Sequence, residues 1–448
     1  MPSLSTLLSF ATLAAALPAR DDSEHMFARR QGGMSLGGIG SLLQMAGSGK
    51  LGQYMGEPEA TEAFTSLAKF FGATKTSPGG LQAYSIGQLN KGYGIVADPA
   101  GASAKRVVLK TRVSTPGAQT IKVRYGPYKV PSTKHVNGLG QAGMLSNFPH
   151  SGMAKPCEGE CTILGMSAGL EYADGRNANI DSGMWLHHMV LFNVGPGRED
   201  PPCAQRDVSL PHVSIGATSR NSERIFASGN ERSEGIIPNW GIKDTGYKLQ
   251  PADKFAALVE LMNQTPQDQT VYLTMTYDII AGHPYKDDVK VLWFDVRQCG
   301  TSEVNPPKNQ TRFVLDYQWT ASFDGELIGA IGHLHDGGER TTLAIDNKLT
   351  CTNVAKYGTK PEFIQPASLN VAPPTAGGHT HGGDMPHISD MNVCHGPSLV
   401  GGTSMRKGQV WTLKAYYDLD KYRGMAHEDG SLEEVMGIEI LFVRRKAA

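Results

Sequence analysis

Two short stretches of the chain place histidines close together within segments of strand composition. His333 and His335 lie two residues apart in GAIGHLHDGG (329–338), and side chains at that spacing point to the same face of a strand. His187 and His188 are adjacent in MWLHHMVLFN, so in a regular strand they point to opposite faces and one ring can be solvated. Because imidazole is a ligand for copper, zinc, iron and nickel, both pairs are candidate metal ligands.

A methionine and three further histidines complete the candidate set. His427 lies nine residues before Met436 in HEDGSLEEVM, and His379 and His381 lie in HTHGGDMPHISDMNVCH. A thioether favours Cu(I), although a methionine in an apolar strand is more commonly a core residue. We therefore treat Met436 as a candidate ligand and the three histidines as secondary candidates, since the stretch with His379 and His381 fits a surface loop equally well.

The segments that carry these residues are short, apolar and rich in β-branched and aromatic residues, which predicts strands. One segment, PADKFAALVELMNQ (251–264), shows helical spacing instead. The pattern predicts an all-β fold, most simply of β-sandwiches or jelly rolls, with a flexible Gly-rich N-terminal arm. The strand-like segments are KRVVLKTRV, IKVRYGPYKV, MWLHHMVLFNV, VYLTMTYDII, VKVLWFDV, TRFVLDYQWTAS, GELIGAIGHLH, TTLAIDN, VWTLKAYYDL and MGIEILFV.

Composition shifts along the chain predict its division into segments. The apolar start resembles a secretory signal, Arg29-Arg30 resembles a dibasic processing site, and NPPKNQ (305–310) suggests a linker. The predicted segments are a signal peptide (1–19), a propeptide (20–30), a Gly-rich arm with a short helix over 59–72 (31–79), a first β-sandwich (80–304) and a second β-sandwich (309–445).

Composition also bounds the function. The net charge of −1 over 448 residues argues against a nucleic-acid partner, and no apolar run is long enough for a membrane span. Six cysteines fit an oxidising compartment, and the preferred pairs are Cys157–Cys161, Cys203–Cys299 and Cys351–Cys394 among fifteen connectivities. We expect a secreted or cell-surface glycoprotein, with Asn309 a better sequon than Asn263, which Pro266 follows closely.

In their order and context, these motifs resemble the copper type II, ascorbate-dependent monooxygenases, which include peptidylglycine α-hydroxylating and dopamine β-monooxygenases. LHHMVLFN resembles the His-His-Met motif of their first domain. GHLHDGG resembles the His-x-His motif of the second, and His427 to Met436 has the spacing of their late methionine ligand. The resemblance implies two jelly-roll-like sandwiches with one copper in each, on either side of a wet cleft, and O2-dependent hydroxylase or oxidase activity.

Carried over residue by residue, the resemblance implies two unequal copper sites. His333, His335 and Met436 match all three ligands of the oxygen-binding copper. His187 and His188 match two ligands of the other copper, but Thr276 stands where the third histidine belongs. We expect one tight site and a second, weaker site, unless a loop histidine (His150, His212 or His283) completes it.

The substrate and the activity stay open. Ile331 replaces the arginine that holds the substrate carboxylate in the peptide-amidating enzyme, which argues against peptide amidation; a small molecule or another peptide remains as substrate. Residues 140–445 also resemble the plant stress-up-regulated nodulin family, through GAIGHLHDGG, ISDMNVCHGP and VMGIEILFV. The alternatives are a non-catalytic copper-binding or cell-surface stress protein, and a hydrolase or lectin-like protein with zinc or no metal.

Overall fold

The computed structural model describes residues 89–137, 141–205, 209–300, 302–369, 385–425 and 432–445. The predicted signal peptide, propeptide and N-terminal arm lie outside the described residues. His379, His381 and His427 lie outside them as well.

Strands dominate the described residues, as the sequence predicts, and every segment of strand composition contains one. The strands in the first part of the chain are β1 (Gly94–Ile95), β2 (Arg106–Leu109), β3 (Gln119–Val130), β4 (Met144–Met153), β5 (Cys161–Tyr172), β6 (Met184–Val194), β7 (Ser222–Ser228), β8 (Gly235–Ile236), β9 (Thr245–Leu249), β10 (Lys254–Asn263), β11 (Gln269–Ala281) and β12 (Asp287–Asp295). The later strands are β13 (Arg312–Thr320), β14 (Gly325–Leu334), β15 (Gly338–Ile345), β16 (Lys348–Tyr357), β17 (Ile364–Gln365), β18 (Met385–Pro386), β19 (Ile388–Met391), β20 (Val393–His395), β21 (Ser404–Met405), β22 (Val410–Asp418) and β23 (Gly437–Arg445).

Helices are short throughout the described ranges, and none is long and apolar enough to cross a membrane. They are one α-helix, α1 (Leu210–Ser214), and the 3-10 turns Ile180–Ser182, Ile237–Trp240, Pro361–Phe363, Ala367–Leu369 and Gly396–Ser398. The helical interpretation of 251–264 is wrong, because this segment forms β10. From Phe255 to Asn263 every residue of β10 is buried, so apolar residues fill both faces and the two-residue alternation of a strand is lost.

Two smaller sheets pack against one long central sheet, and β17 and β18 form a separate two-stranded sheet. The central sheet has twelve strands with the main order β1-β3-β11-β5-β9-β12-β23-β14-β20; a four-stranded sheet has the order β4-β10-β6-β7, and a five-stranded sheet has the order β13-β22-β15-β16-β19. Strand β12 pairs antiparallel with β23, so the central sheet continues across the predicted boundary at 305–310. The division into two domains stays a prediction.

The strands β12, β23 and β14 contribute to two hydrophobic cores at once. On β23, Ile438 and Ile440 pack into the core shared with the four-stranded sheet. The neighbouring Leu441 and Val443 pack into the core shared with the five-stranded sheet. Because alternate residues face opposite sides of a strand, this shared sheet fixes the two outer sheets relative to each other.

Three disulfides join cysteines in the predicted pairs: Cys157–Cys161, Cys203–Cys299 and Cys351–Cys394. The two sequons differ in exposure. Asn263 is fully buried and its amide donates a hydrogen bond to the Gln267 carbonyl, so it cannot accept a glycan in the folded protein. Asn309 is exposed.

Candidate metal centre

A β-bulge at His187 brings the two adjacent histidines to the same side of β6. In the pairing of β10 with β6, Glu260 faces His188 and Leu261 faces Leu186, so His187 is an extra residue without a partner. Such a bulge interrupts the alternation of side chains, and the rings of His187 and His188 lie 4.2 Å apart between centroids. The expectation that they point to opposite faces is therefore wrong.

The second histidine pair lies at the end of β14, where the sequence spacing predicts it. His333 pairs with Ile438 of β23, and Leu334, the last residue of the strand, pairs with Gly437. The rings of His333 and His335 are 5.8 Å apart. The amide of His335 donates to the Tyr417 hydroxyl at 3.1 Å, which fixes the backbone beyond the strand end.

The two pairs meet, because β6 lies in the four-stranded sheet and β14 lies in the central sheet that faces it. His188 Nε2 is 2.8 Å from His335 Nε2. The ring centroids of His187 and His335, and those of His188 and His333, are 5.3 Å apart. The four rings therefore form one cluster, which we call the four-histidine centre, rather than two groups on either side of a cleft. The number of copper ions that they bind stays a prediction.

Hydrogen-bond acceptors hold the Nδ1 atom of three of the four rings. His188 Nδ1 donates to Glu260 at 3.1 Å, His333 Nδ1 donates to Glu231 at 3.0 Å, and His335 Nδ1 donates to the Glu434 carbonyl at 2.6 Å. A histidine that donates from Nδ1 presents the lone pair of Nε2 as a ligand, and such outer partners are the usual support of metal-binding histidines.

Unpartnered nitrogen atoms remain at the centre. His333 Nε2 and both ring nitrogens of His187 are buried and have no hydrogen-bond partner. His187, His188 and His335 each have one possible ligand atom, and these three atoms lie within 4.8 Å of one another. His188, Glu260 and Glu303 form a second group with the same spacing. Since buried polar atoms are costly when unsatisfied, this arrangement fits a metal ion that accepts the free lone pairs.

The electrostatics keep two of the rings neutral and the carboxylates ionised. Burial, reinforced by the charge of His187, lowers the pKa of His188 to about 4, and burial holds the pKa of His335 well below its ordinary value. Burial opposes ionisation of Glu231 and Glu260, but the charges and hydrogen bonds of their histidine partners lower each pKa to about 2. Neutral imidazole beside ionised carboxylate is the form that binds a cation.

A small cavity adjoins the four-histidine centre. Its volume is about 30 Å³, which is room for roughly one or two water molecules or one small substituent. Four of its seven lining residues other than the histidines are apolar. Besides the four histidines, the cavity is lined by Trp185, Asn230, Glu231, Leu334, Asp336, Ile388 and Met425.

Met436 lies beside the centre without lining the cavity. It is 5% exposed and packs in the core between the central and four-stranded sheets. It precedes Gly437, the partner of Leu334, and its carbonyl accepts a hydrogen bond from the same Tyr417 hydroxyl that binds the His335 amide. Its backbone is therefore close to that of His335, and ligation by its sulfur stays a prediction.

The other residues considered for the weaker copper site lie elsewhere. Thr276 on β11 is flanked by Met275 and Tyr277, both fully buried in the core, so its own side chain points away from that core. His212 is bound at both nitrogens by Ser222 and Asp200. His150 and His283 are bound through Nδ1 by Tyr128 and Thr162, whereas the His335 ring lies beside those of His187 and His188.

Sequence reasoning missed the carboxylates that hold the histidines. Glu260 is the single charged residue in the apolar run FAALVELMN. A lone carboxylate in such a run was the signal that could have identified it. Glu231 lies in the loop after β7, where the surrounding sequence is polar, so nothing in the sequence distinguishes it from a surface glutamate.

No family model matches the chain, but curated relatives do. It is 29% identical over 330 residues to a protein named probable copper-dependent oxygenase M1 from Phoma sp., covering 73% of each chain. It is 28% identical over 292 residues to probable copper-dependent oxygenase clz3 from Cochliobolus lunatus, covering 63% of this chain and 79% of that one. The chain is similar to copper-dependent oxygenases. These relatives confirm the resemblance to copper oxygenases that the histidine motifs indicated.

Among solved structures, the glycosylasparaginase PNGase F from Flavobacterium meningosepticum aligns with 73% of this chain and 96% of its own. The sequence identity is 10% and the TM-score is 0.32, which is too low to support a conclusion.

Proposed function

We propose that the chain is a copper-dependent oxidoreductase of the oxygenase type, with copper bound by His187, His188, His333 and His335. The observation that carries the proposal is the 2.8 Å approach of His188 Nε2 and His335 Nε2 beside the unpartnered Nε2 of His333. The choice of copper over zinc draws support from the two relatives named as copper-dependent oxygenases. A thioether ligand from Met436 would add a preference for the reduced metal.

Each part of the centre has a distinct task in this proposal. Copper, when bound, supplies one-electron chemistry toward O2. Glu260 and Glu231 hold the Nδ1 protons of His188 and His333, which fixes the ring orientation before the metal arrives. Trp185, Ile388 and Met425 limit water at the centre, and a substrate C–H group would enter the cavity that they line.

Metal analysis of protein prepared without metal contamination tests this proposal. We expect one copper per chain, lost when His188 and His335 are both replaced by alanine. Two coppers that persist independently would contradict a shared centre, and zinc or no metal would contradict the copper assignment.

The small volume of the cavity, about 30 Å³, favours a second candidate, a copper-binding protein without a substrate. Consumption of O2 by the copper-loaded protein with ascorbate as reductant separates the two. Turnover that is lost in the double alanine variant supports the oxidoreductase, and a copper-loaded protein without turnover supports the binding protein.

We further propose that the chain is secreted, cleaved within residues 1–30 and glycosylated at Asn309. Three disulfides and the exposure of Asn309 support this, since disulfides persist in oxidising compartments. Intact-mass analysis of the protein from a eukaryotic secretion host tests it; six free thiols or a retained leader would contradict it.

A further inference from the structure

The loop between β7 and β8 passes close to the four-histidine centre and contains an arginine with an unusual backbone conformation. A Cβ added at Gly229 would lie 2.8 Å from His333 Cε1 and 3.1 Å from the His187 carbonyl, so only glycine allows this approach. Arg232 has a φ of 50°, which is uncommon for a residue with a side chain. Strained backbone of this kind concentrates at functional positions, and it directs attention to the Arg232 side chain.

The guanidinium of Arg232 lies in a largely buried place without a counter-ion. It donates to the Gly229 carbonyl at 2.6 Å and to the Asn179 side-chain oxygen at 3.5 Å, and it lies 5.9 Å from the Phe363 ring. No carboxylate within the described ranges forms an ion pair with it, and burial lowers the pKa of Arg232 to about 10. Buried arginines are ordinarily paired with an acid.

The acids nearest to the cavity are committed to other partners. Glu231, the neighbour of Arg232, binds His333 Nδ1 and the Gly229 amide. Asp336 accepts hydrogen bonds from His387 Nδ1 at 2.5 Å and from the Ile388 amide at 3.0 Å. Both carboxylates are hydrogen-bonded to other groups, and among the described acids only the charge of Glu231 acts on the guanidinium, without an ion pair. This leaves room for an anionic ligand as its hydrogen-bonded partner.

The cavity wall offers further polar atoms that no residue of the described chain satisfies. Trp185, which is 1% exposed, has a buried Nε1 without an acceptor, and the buried Oδ1 of Asn230 has no donor. Both residues line the cavity, and Asn230 is two residues from Arg232. Their unsatisfied hydrogen-bonding capacity fits a polar ligand that lies between the loop and the histidines.

We propose that Arg232 binds the carboxylate of an organic acid substrate, whose apolar part enters the cavity beside the four-histidine centre. Guanidinium and carboxylate form paired, charge-assisted hydrogen bonds, and the apolar side chains of the cavity accommodate hydrocarbon. The role of this acid as substrate rests on the proposed oxidoreductase function. Its binding to Arg232 does not, because the guanidinium holds the anion without metal.

Binding of acetate and its neutral analogue acetamide to metal-free protein, measured by titration calorimetry, tests the proposal, because a methyl group is small enough for the cavity. Metal-free protein excludes binding of the carboxylate to copper. We expect acetate to bind at least tenfold more tightly than acetamide. Arg232→Met should remove this preference and Arg232→Lys should keep part of it. The matched control Arg176→Met changes an exposed arginine already paired with Asp174 and should retain the preference.

Equal binding of acetate and acetamide by the unmodified protein would overturn the proposal, as would the absence of acetate binding or undiminished acetate binding in Arg232→Met. If Arg232→Met does not fold, Arg232→Lys and the acetamide comparison still decide. Copper content is measured on the same preparations. Loss of copper binding with retained acetate preference would contradict the proposed function alone, and the reverse result would contradict the anion site alone.

Discussion

His188 Nε2 faces His335 Nε2 at 2.8 Å, although 147 positions separate the two residues in the chain. Both rings give their Nδ1 proton to an acceptor, Glu260 in one case and the Glu434 carbonyl in the other. In the neutral rings the two Nε2 lone pairs then face each other, which is repulsive unless a proton or a metal ion lies between them. Copper and protons therefore compete for the same place.

Replacing His188 should weaken copper binding at the four-histidine centre rather than spare it. We expect His188→Ala to lower copper affinity by more than the roughly 10- to 100-fold typical for loss of an outer partner, because it removes a ligand directly. Competition titration with a chelator measures this. His283→Ala, whose ring binds Thr162, is the control and should retain full affinity; equal affinities in both variants would contradict a shared centre.

The carboxylate behind His333 should matter although it need not touch the metal. Glu231→Gln removes the charge that orients the His333 ring, and we expect copper affinity to fall roughly tenfold or more. Glu234→Gln, three residues away at an exposed position, provides the matched comparison in the same titration. A Glu231→Gln protein with unchanged affinity would show that this hydrogen bond does not support the centre.

Met436 is tested by a substitution that conserves its volume. Met436→Leu should cost less than about 1.5 kcal/mol of unfolding free energy. If the sulfur is a ligand, Cu(I) affinity should fall more than Cu(II) affinity, because the thioether is the soft donor. Parallel titrations with Cu(I) and Cu(II) chelators measure the difference; equal changes in both would identify Met436 as a core residue only.

A histidine placed at Thr276 should leave copper binding unchanged. The side chain of this residue faces away from the core on which β11 packs, so a new imidazole there cannot reach the centre. The affinity and stoichiometry of Thr276→His should equal those of the unmodified protein. A strengthened second site would show that a rearranged structure exists in solution.

Glu439 makes stability depend on pH. It is fully buried, and burial raises its pKa from 4.5 to about 8, with only Thr341 donating to it. In the unfolded chain the carboxyl ionises above about pH 4.5, while in the folded protein it holds its proton until about pH 8. Stability therefore falls as pH rises between these values.

Glu439→Gln should abolish this part of the pH dependence and stabilise the protein by roughly 2–4 kcal/mol at pH 8. Denaturant unfolding at pH 5 and pH 8 measures the effect. Glu326→Gln, an exposed residue on the neighbouring strand, should leave the pH dependence intact. A gain that is equal at both pH values would refute the argument.

The sequence predicted the local features of the centre and missed those that depend on register. Spacing alone placed His333 and His335 on one face, since two-residue periodicity is a property of any strand. The direction of the His187 side chain depends on a bulge opposite Glu260 and Leu261. The sequence of one strand does not determine its pairing register, so this bulge could not be predicted.

The meeting of the two histidine pairs was also beyond sequence reasoning. It requires that β6 and β14 lie in facing sheets, which follows from the order of the strands rather than from their composition. The same limit explains β10, where burial on both faces made a strand look helical. The prediction of the cysteine pairs is confirmed, since all three preferred disulfides are present.

The position of β23 has a consequence for biosynthesis. This strand, residues 437–445, lies between β12 and β14 in the middle of the central sheet. A nascent chain that lacks it leaves two long, apolar strand edges open at the junction of both cores, and open edges promote aggregation. The central sheet cannot close between β12 and β14 until residues 437–445 have been synthesised, and a nonsense mutation before residue 437 would leave both of these edges open.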